Sequence, residues 1–385
     1  MNKITFLLLS VITTNVYADQ IKCGTKGEIT ISSDTKLDST CVYNIQVNIN
    51  NSNITLDCDG AVLDGEKNET IQYGALIDSK GNPLSNVTIK NCIFKNYFKN
   101  GIMASWMFSD SGKLKLVNND KEALYAKTPH NIKIYNTVVE NSQRVGIFID
   151  DYVANTELSG VSVLNGREVA IYLEHDSRNT TIKNSVMEGN GQWGLRESLA
   201  IDASNDNIIV NNVFRNNAIG GVFLYKNCGE MGNRSEPAFY NANATTRTHG
   251  ANGNIIKNNT FVNTGLAIYI ASRQDVPLNI QHCSDPLMYT GRPIVYRKVV
   301  GDKYYQDYAK NNIVEKNVLE CSLGIYIADD DNQIIANDFS GNCSQEIKVG
   351  SEVKGVFYGE PVKNNKVEGN NGNVQINFIG NAKNP

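Results

Sequence analysis

From residue 53 onward the chain repeats one pattern of polar and apolar positions. An Asn opens each unit and a short alternating run follows. A second Asn marks a turn before another short run, and a Gly or Ala then leads into a third. The units open at Asn53 (NITLDCDGAVLDG), Asn86, Asn131 (NIKIYNTVVEN, then GIFIDD), Asn155, Asn179, Asn207, Asn254, Asn312, Asn332 and Asn365. Where nothing is inserted, consecutive openings lie 20 to 28 residues apart, a period that belongs to solenoids. Runs this short, bounded by Asn and Gly that tolerate left-handed backbone, predict strands. Alternation puts Ile, Val and Phe on one face, and stacked coils bury that face as a continuous core. Asn at the same corner of successive coils can stack as a hydrogen-bonded ladder, which accounts for the abundance of Asn without a functional role.

The expected architecture is all-β, a single-stranded right-handed parallel β-helix of about ten coils, with an N-terminal cap and long loop insertions. Residues 1–18 read as a signal peptide. Lys3 gives the basic start, Ile4 to Ile12 the apolar run, and Val16, Tyr17 and Ala18 the small-residue cleavage pattern. Cleavage near Ala18 implies a secreted or periplasmic protein. The apolar run is too short to span a bilayer, and nothing later reads as a membrane span. Residues 19–52 read as the cap and 53–385 as the β-helix domain. Export makes disulfides the expected state of the eight cysteines. Cys23 and Cys41 could close the cap. Cys58 with Cys92, and Cys321 with Cys343, occupy near-equivalent places in neighbouring coils. Cys228 and Cys283 lie in two of the insertions. The balance of 36 basic and 40 acidic residues argues against nucleic acid as a partner. A capped solenoid has no edge requiring a partner, so a monomer is expected.

The third strand of each unit carries the candidate chemistry. Aligned on the opening Gly or Ala, its second and fourth positions are apolar and face inward, so its third and fifth face solvent. The third position reads Met103, Phe148, Tyr172, Asp202, Phe223, Tyr269, Tyr326; the fifth includes Asp150, Glu174 and Tyr225. Trp106, Asp151, His175, Lys226 and Arg273 follow in the next turn. Large apolar patches on a soluble surface usually mark binding, and aromatic faces suit sugar rings. A polysaccharide is therefore the expected partner. The coil period stretches to 45 residues after Trp106, 47 after Asn227 and 58 after Arg273. These insertions leave at one edge of one sheet, where they would wall a groove.

The Asn-opened units resemble the pectin-lyase-like superfamily of right-handed parallel β-helices, over about Asn53 to Gly380. That superfamily includes polysaccharide lyases, uronan C5-epimerases, glycoside hydrolases and non-enzymatic adhesins and tailspikes. Lys226 and Arg273 on successive coils resemble the Lys and Arg of its chondroitinase and alginate-lyase branch, with Glu174 and Asp202 as Ca²⁺ ligands. The resemblance implies a lyase or C5-epimerase of uronic-acid polymers. Arg273 or Ca²⁺ would neutralise the uronate, and Lys226, His175 or Tyr225 would move the proton. Asp150, Asp151, Tyr172, Tyr225, Tyr269 and Trp106 would bind substrate. Paired carboxylates among Asp150, Glu174 and Asp202 would also permit glycoside hydrolysis. The same surface would serve a carbohydrate-binding or adhesin solenoid without catalysis.

Overall fold

A computed structural model describes residues 21–106, 125–174, 176–193, 195–226, 250–271, 309–357 and 359–383. Each coil contributes strands to three parallel sheets. The first sheet has eleven strands, among them Leu84–Lys90, Pro129–Tyr135 and Ala154–Ser159. The second contains three-residue strands such as Ile93–Lys95, Val138–Glu140 and Ser162–Leu164. The third includes Asn100–Ser105, Ile147–Ile149, Ile171–Glu174, Glu197–Asp202, Gly220–Tyr225, Leu266–Ile270 and Gly324–Ile327. Each strand pairs with its counterpart one coil away.

The parallel ladder starts before Asn53. Lys26–Ile31 pairs in parallel with Val42–Ile49, which pairs in turn with Tyr73–Asp78. The segment expected as a cap therefore supplies strands to the solenoid itself. Its Cys23–Cys41 disulfide is present, as are Cys58–Cys92 and Cys321–Cys343. Cys228, Cys283 and residues 1–18, expected as a signal peptide, lie outside the described residues, as does most of each insertion.

Alternation fills the interior as the sequence implies. In the third sheet Ile102, Ile147, Ile171, Leu199, Val222, Ile268 and Ile325 form one fully buried column. In the second sheet the rings of Phe214 and Phe261 stack at 4.9 Å. Small residues open the third strand because the corner is crowded. A Cβ on Gly101 would fall 2.3 Å from a methyl of Val139, and one on Gly146 would fall 2.4 Å from a methyl of Val163.

Asparagine plays two distinct parts. Asn53, Asn86, Asn131, Asn155 and Asn179 turn the chain with φ between 54° and 61° and are solvent-facing. In later coils that turn passes to Asp206, Gly253, Asn311, Asp331 and Asn364. The Asn one residue further on points inward. Asn207, Asn254 and Asn312 are fully buried, with amide-to-amide bonds of 2.8 Å and 3.0 Å between successive coils, and Asn312 continues to Asn332 at 3.0 Å. The expected unit openings from Asn207 onward are thus one residue out of register with the earlier ones. Adjacent Asn-Asn, Asp-Asn and Gly-Asn pairs carry both roles, and pattern alone aligns the wrong member. A second buried ladder runs through Asn212, Asn259, Asn317 and Asn337.

Asn259 illustrates the stakes. Its amide donates to Asn317 and to the Ile209 carbonyl, while its oxygen accepts two bonds from Asn212. Asn259→Ala should therefore cost about 1–3 kcal/mol, because buried partners lose their bonds. Asn258, exposed with φ 53°, should accept Gly within about 0.5 kcal/mol. Urea unfolding midpoints of the two variants check the contrast.

Candidate functional site

The outer face of the third sheet presents three columns. The first runs Asn100, Val145, Val169, Glu197, Gly220 along successive coils. The middle one runs Met103, Phe148, Tyr172, Ala200, Phe223, Tyr269, Tyr326, Lys348. The last runs Asp78, Ser105, Asp150, Glu174, Asp202, Tyr225. Asp202 therefore does not replace an aromatic residue. It pairs with Glu174, and Ala200 sits opposite Tyr172. The expected alignment of this coil is two residues off, because Ser198 takes the small corner position expected of Ala200. Leu199 and Ile201 are the bulky inward pair, which was the signal for the correct register.

Ala200 leaves a gap in the aromatic column, and neighbouring side chains fold into it. Phe148 and Tyr172 stack at 5.3 Å on one side of the gap. On the other, Phe223, Tyr269 and Tyr326 follow at 5.3 Å and 5.4 Å. Val145, Val169, Tyr172, Ala200 and Tyr225 form a buried cluster of their own outside the main core. From it the Tyr172 hydroxyl donates to Asp202 at 2.8 Å. Tyr225 donates a short bond to Glu197 and accepts one from Arg196 at 3.1 Å. Arg196 also grips Glu197 with two nitrogens, at 3.0 Å and 3.1 Å.

This charged pair was invisible to the misaligned pattern. Burial pushes the Glu197 carboxyl up, but the Arg196 charge and the bonds from Arg196 and Tyr225 outweigh it and hold the pKa below the usual carboxylate range. Burial likewise opposes the Arg196 charge, and Tyr225 and Glu197 reverse the effect, raising its pKa. Arg196 keeps a third of its side-chain surface exposed, at 32%, whereas Glu197 keeps 6%.

Three carboxylates, Asp150, Glu174 and Asp202, stand on consecutive coils about 4.8 Å apart. Ser105 donates to Asp150. The expectation that this column and the following turn face solvent is corrected. Glu174, Asp202, Tyr225, Asp151, Trp106 and Lys226 are all buried. Trp106 packs edge-on against Tyr152, whose ring also meets Tyr125, so it belongs to a satellite core. Tyr172 is 8% exposed; Phe148, Phe223, Tyr269 and Tyr326 are the partly open part of the stripe. His175 and Arg273 lie outside the described residues. Among the described residues, one group of three metal-ligating side chains falls within 4.8 Å, Cys23, Asp38 and Cys41, and its sulfurs are joined in a disulfide. No helix among them is long and apolar enough to cross a membrane.

Residues 109–261 match the family described as right handed beta helix region. The A-module of the mannuronan C-5 epimerase AlgE6 of Azotobacter vinelandii superposes with a TM-score of 0.53 at 12% identity, over 90% of this chain and 81% of that one. The chain is a right-handed parallel β-helix. Two further solved structures are similar at lower scores. An alginate lyase from Paenibacillus sp. FPU-7 gives a TM-score of 0.38 at 9% identity, covering 91% and 99% of the two chains. The tailspike of E. coli bacteriophage HK620, in complex with a pentasaccharide, gives 0.44 at 9%, covering 94% and 56%. No curated protein matches the sequence.

The Arg196–Glu197–Tyr225 cluster of this β-helix has a pH signature. A carboxyl with a depressed folded pKa stabilises the fold fully above its unfolded value, near 4.5, and loses that contribution as pH falls through the folded value. Glu197→Gln should cost about 1–3 kcal/mol at pH 7. The difference from wild type should shrink on acidification below about pH 4.5, as measured by unfolding at a series of pH values.

Proposed function

We propose that this protein is exported and acts on an acidic polysaccharide, as a lyase or C5-epimerase of uronic-acid polymers. The observation that carries the reading is the outer face of the third sheet. An aromatic stripe of Phe148, Phe223, Tyr269 and Tyr326 runs beside the Asp150–Glu174–Asp202 row and the Arg196–Tyr225 pair. The stripe suits sugar faces stacked along the helix axis. Disulfides support a compartment outside the reducing cytoplasm.

Chemistry at C5 of a uronate needs a positive charge on the carboxylate, a base for the C5 proton and a donor to return or supply one. Arg273 or the partly exposed Arg196 would meet the carboxylate. Lys226, His175 and Tyr225 are the proton-moving groups. Tyr225 already exchanges hydrogen bonds with Arg196 and Glu197, a connection through which a proton can be held at its phenol oxygen. Glu174 and Asp202 offer hard oxygen ligands of the kind Ca²⁺ takes, although Tyr172 occupies one Asp202 oxygen. A bound ion would add positive charge near the uronate.

A second reading, binding without chemistry, is supported by the burial of Asp202, Tyr225 and Lys226, which suits a structural scaffold beneath a sugar platform. Hydrolysis by neighbouring carboxylates is the third. Incubation with alginate, polygalacturonate and chondroitin separates them. A lyase raises near-ultraviolet absorbance from unsaturated products, and Lys226→Ala or Arg196→Ala abolishes the rise. An epimerase takes up solvent deuterium at C5 without shortening the chain. Reducing ends without absorbance would indicate hydrolysis, and affinity with none of these would leave binding alone.

A further inference from the structure

Beside the aromatic stripe, at the edge where the chain enters the third sheet, is a second constellation. The register places Lys99, Arg144, Glu168 and Arg196 at equivalent positions on four consecutive coils. Arg144 is exposed, and it makes no ion pair among the described residues. Arg167 is steered by Gln143, whose oxygen accepts from it at 2.8 Å. Its guanidinium lies 3.8 Å from the centre of the Trp193 ring. Trp193 is 70% exposed, so Arg167 backs its ring while most of the indole remains open to solvent.

A large aromatic residue in such a position buries little and contributes little to the fold. Held by the stacked Arg167 guanidinium, it is instead a platform with one apolar face backed by a cation. A planar ring face suits the C–H face of a pyranose, and Arg forks suit a carboxylate. Arg144 and Arg196 stand on the coils before and after the one that carries Arg167, about 4.8 Å per coil. A ligand ring on Trp193 would have its acidic substituent within reach of this row.

We propose that Trp193, Arg167 and Arg144 form an anionic-sugar subsite outside the main stripe, with Trp193 as the stacking platform and the two arginines as carboxylate readers. The subsite rests on the reading of the protein as an acidic-polysaccharide protein and extends it. It places part of the polymer over the entry edge of the third sheet and lets the protein select uronates over neutral sugars before any chemistry. Salt should weaken this contact, because Arg144 is solvent-exposed.

The sequence has two tryptophans, and Trp106 is fully buried. Intrinsic fluorescence can therefore report on Trp193. The full chain is titrated with oligomers of alginate, of polygalacturonate and of neutral galactan, while calorimetry follows binding independently. Acidic oligomers should change the emission of wild type, the change should vanish in Trp193→Phe, and neutral oligomers should leave it unaltered. Trp193→Ala, Arg144→Ala and Arg167→Ala should each weaken acidic-oligomer binding about tenfold, with unfolding midpoints close to wild type. Calorimetric binding of acidic oligomers with silent emission, undiminished in Trp193→Ala, would overturn the subsite while leaving the functional reading standing. Absence of binding by every acidic oligomer would overturn both.

Discussion

A parallel coil closes only if the chain turns at the same corner in every repeat and leaves no buried amide without a partner. In this protein the two demands fall on adjacent residues. A left-handed Asn, Asp or Gly makes the turn, and in the later coils the next Asn points inward and bonds to its counterpart above and below. Those inward amides replace the water that the corner excludes, and a broken link leaves several buried groups unsatisfied at once. The spacing of about 4.8 Å that results fixes the separation of every side chain on the outer faces. The columns of rings, carboxylates and guanidinium groups on the third sheet inherit their spacing from it.

The same spacing shapes the site through a single small residue. Stacked aromatic rings would fill the middle column without interruption if each coil supplied one. Ala200 does not, and the vacancy draws in Tyr172 and Tyr225 from the coils on either side. Their hydroxyls then reach Asp202 and Glu197, carrying polar contacts across the sheet rather than along it. Arg196 closes the arrangement at its exposed rim. Part of the aromatic stripe thereby becomes a wall around buried charge, while Phe223, Tyr269 and Tyr326 stay partly exposed on one side.

The fold was legible because the alternation is strict wherever a strand has two buried neighbours. The Cys58–Cys92 and Cys321–Cys343 disulfides and the Asn ladder followed from the same repeat, and Cys23–Cys41 from two cysteines in the segment before it. The site was less legible, for a specific physical reason. A β-helix tolerates any small residue at its corner, so Ser198 can do the work of Gly146 or Ala170, and an alignment that looks only for Gly or Ala slips by two. That slip put Asp202 in the wrong column and left Arg196 and Glu197 unnoticed. Burial was the second thing pattern could not convey. Trp106, in the turn after its strand, and Tyr225, at an outward strand position, are each packed into buried clusters with their neighbours. Trp193 was missed because it belongs to a turn that the repeat does not cover.

On the proposed function, an acidic polysaccharide lies along the outer face of the third sheet. Hydroxyl-radical footprinting with polygalacturonate or alginate, read by mass spectrometry, tests it directly. Phe148, Phe223, Tyr269 and Tyr326 should lose side-chain reactivity when polymer is added, with Ile208 on the first sheet and Val318 on the second unchanged. Protection centred on Ile208 or Val318, or no protection under conditions where binding is measured, would contradict it.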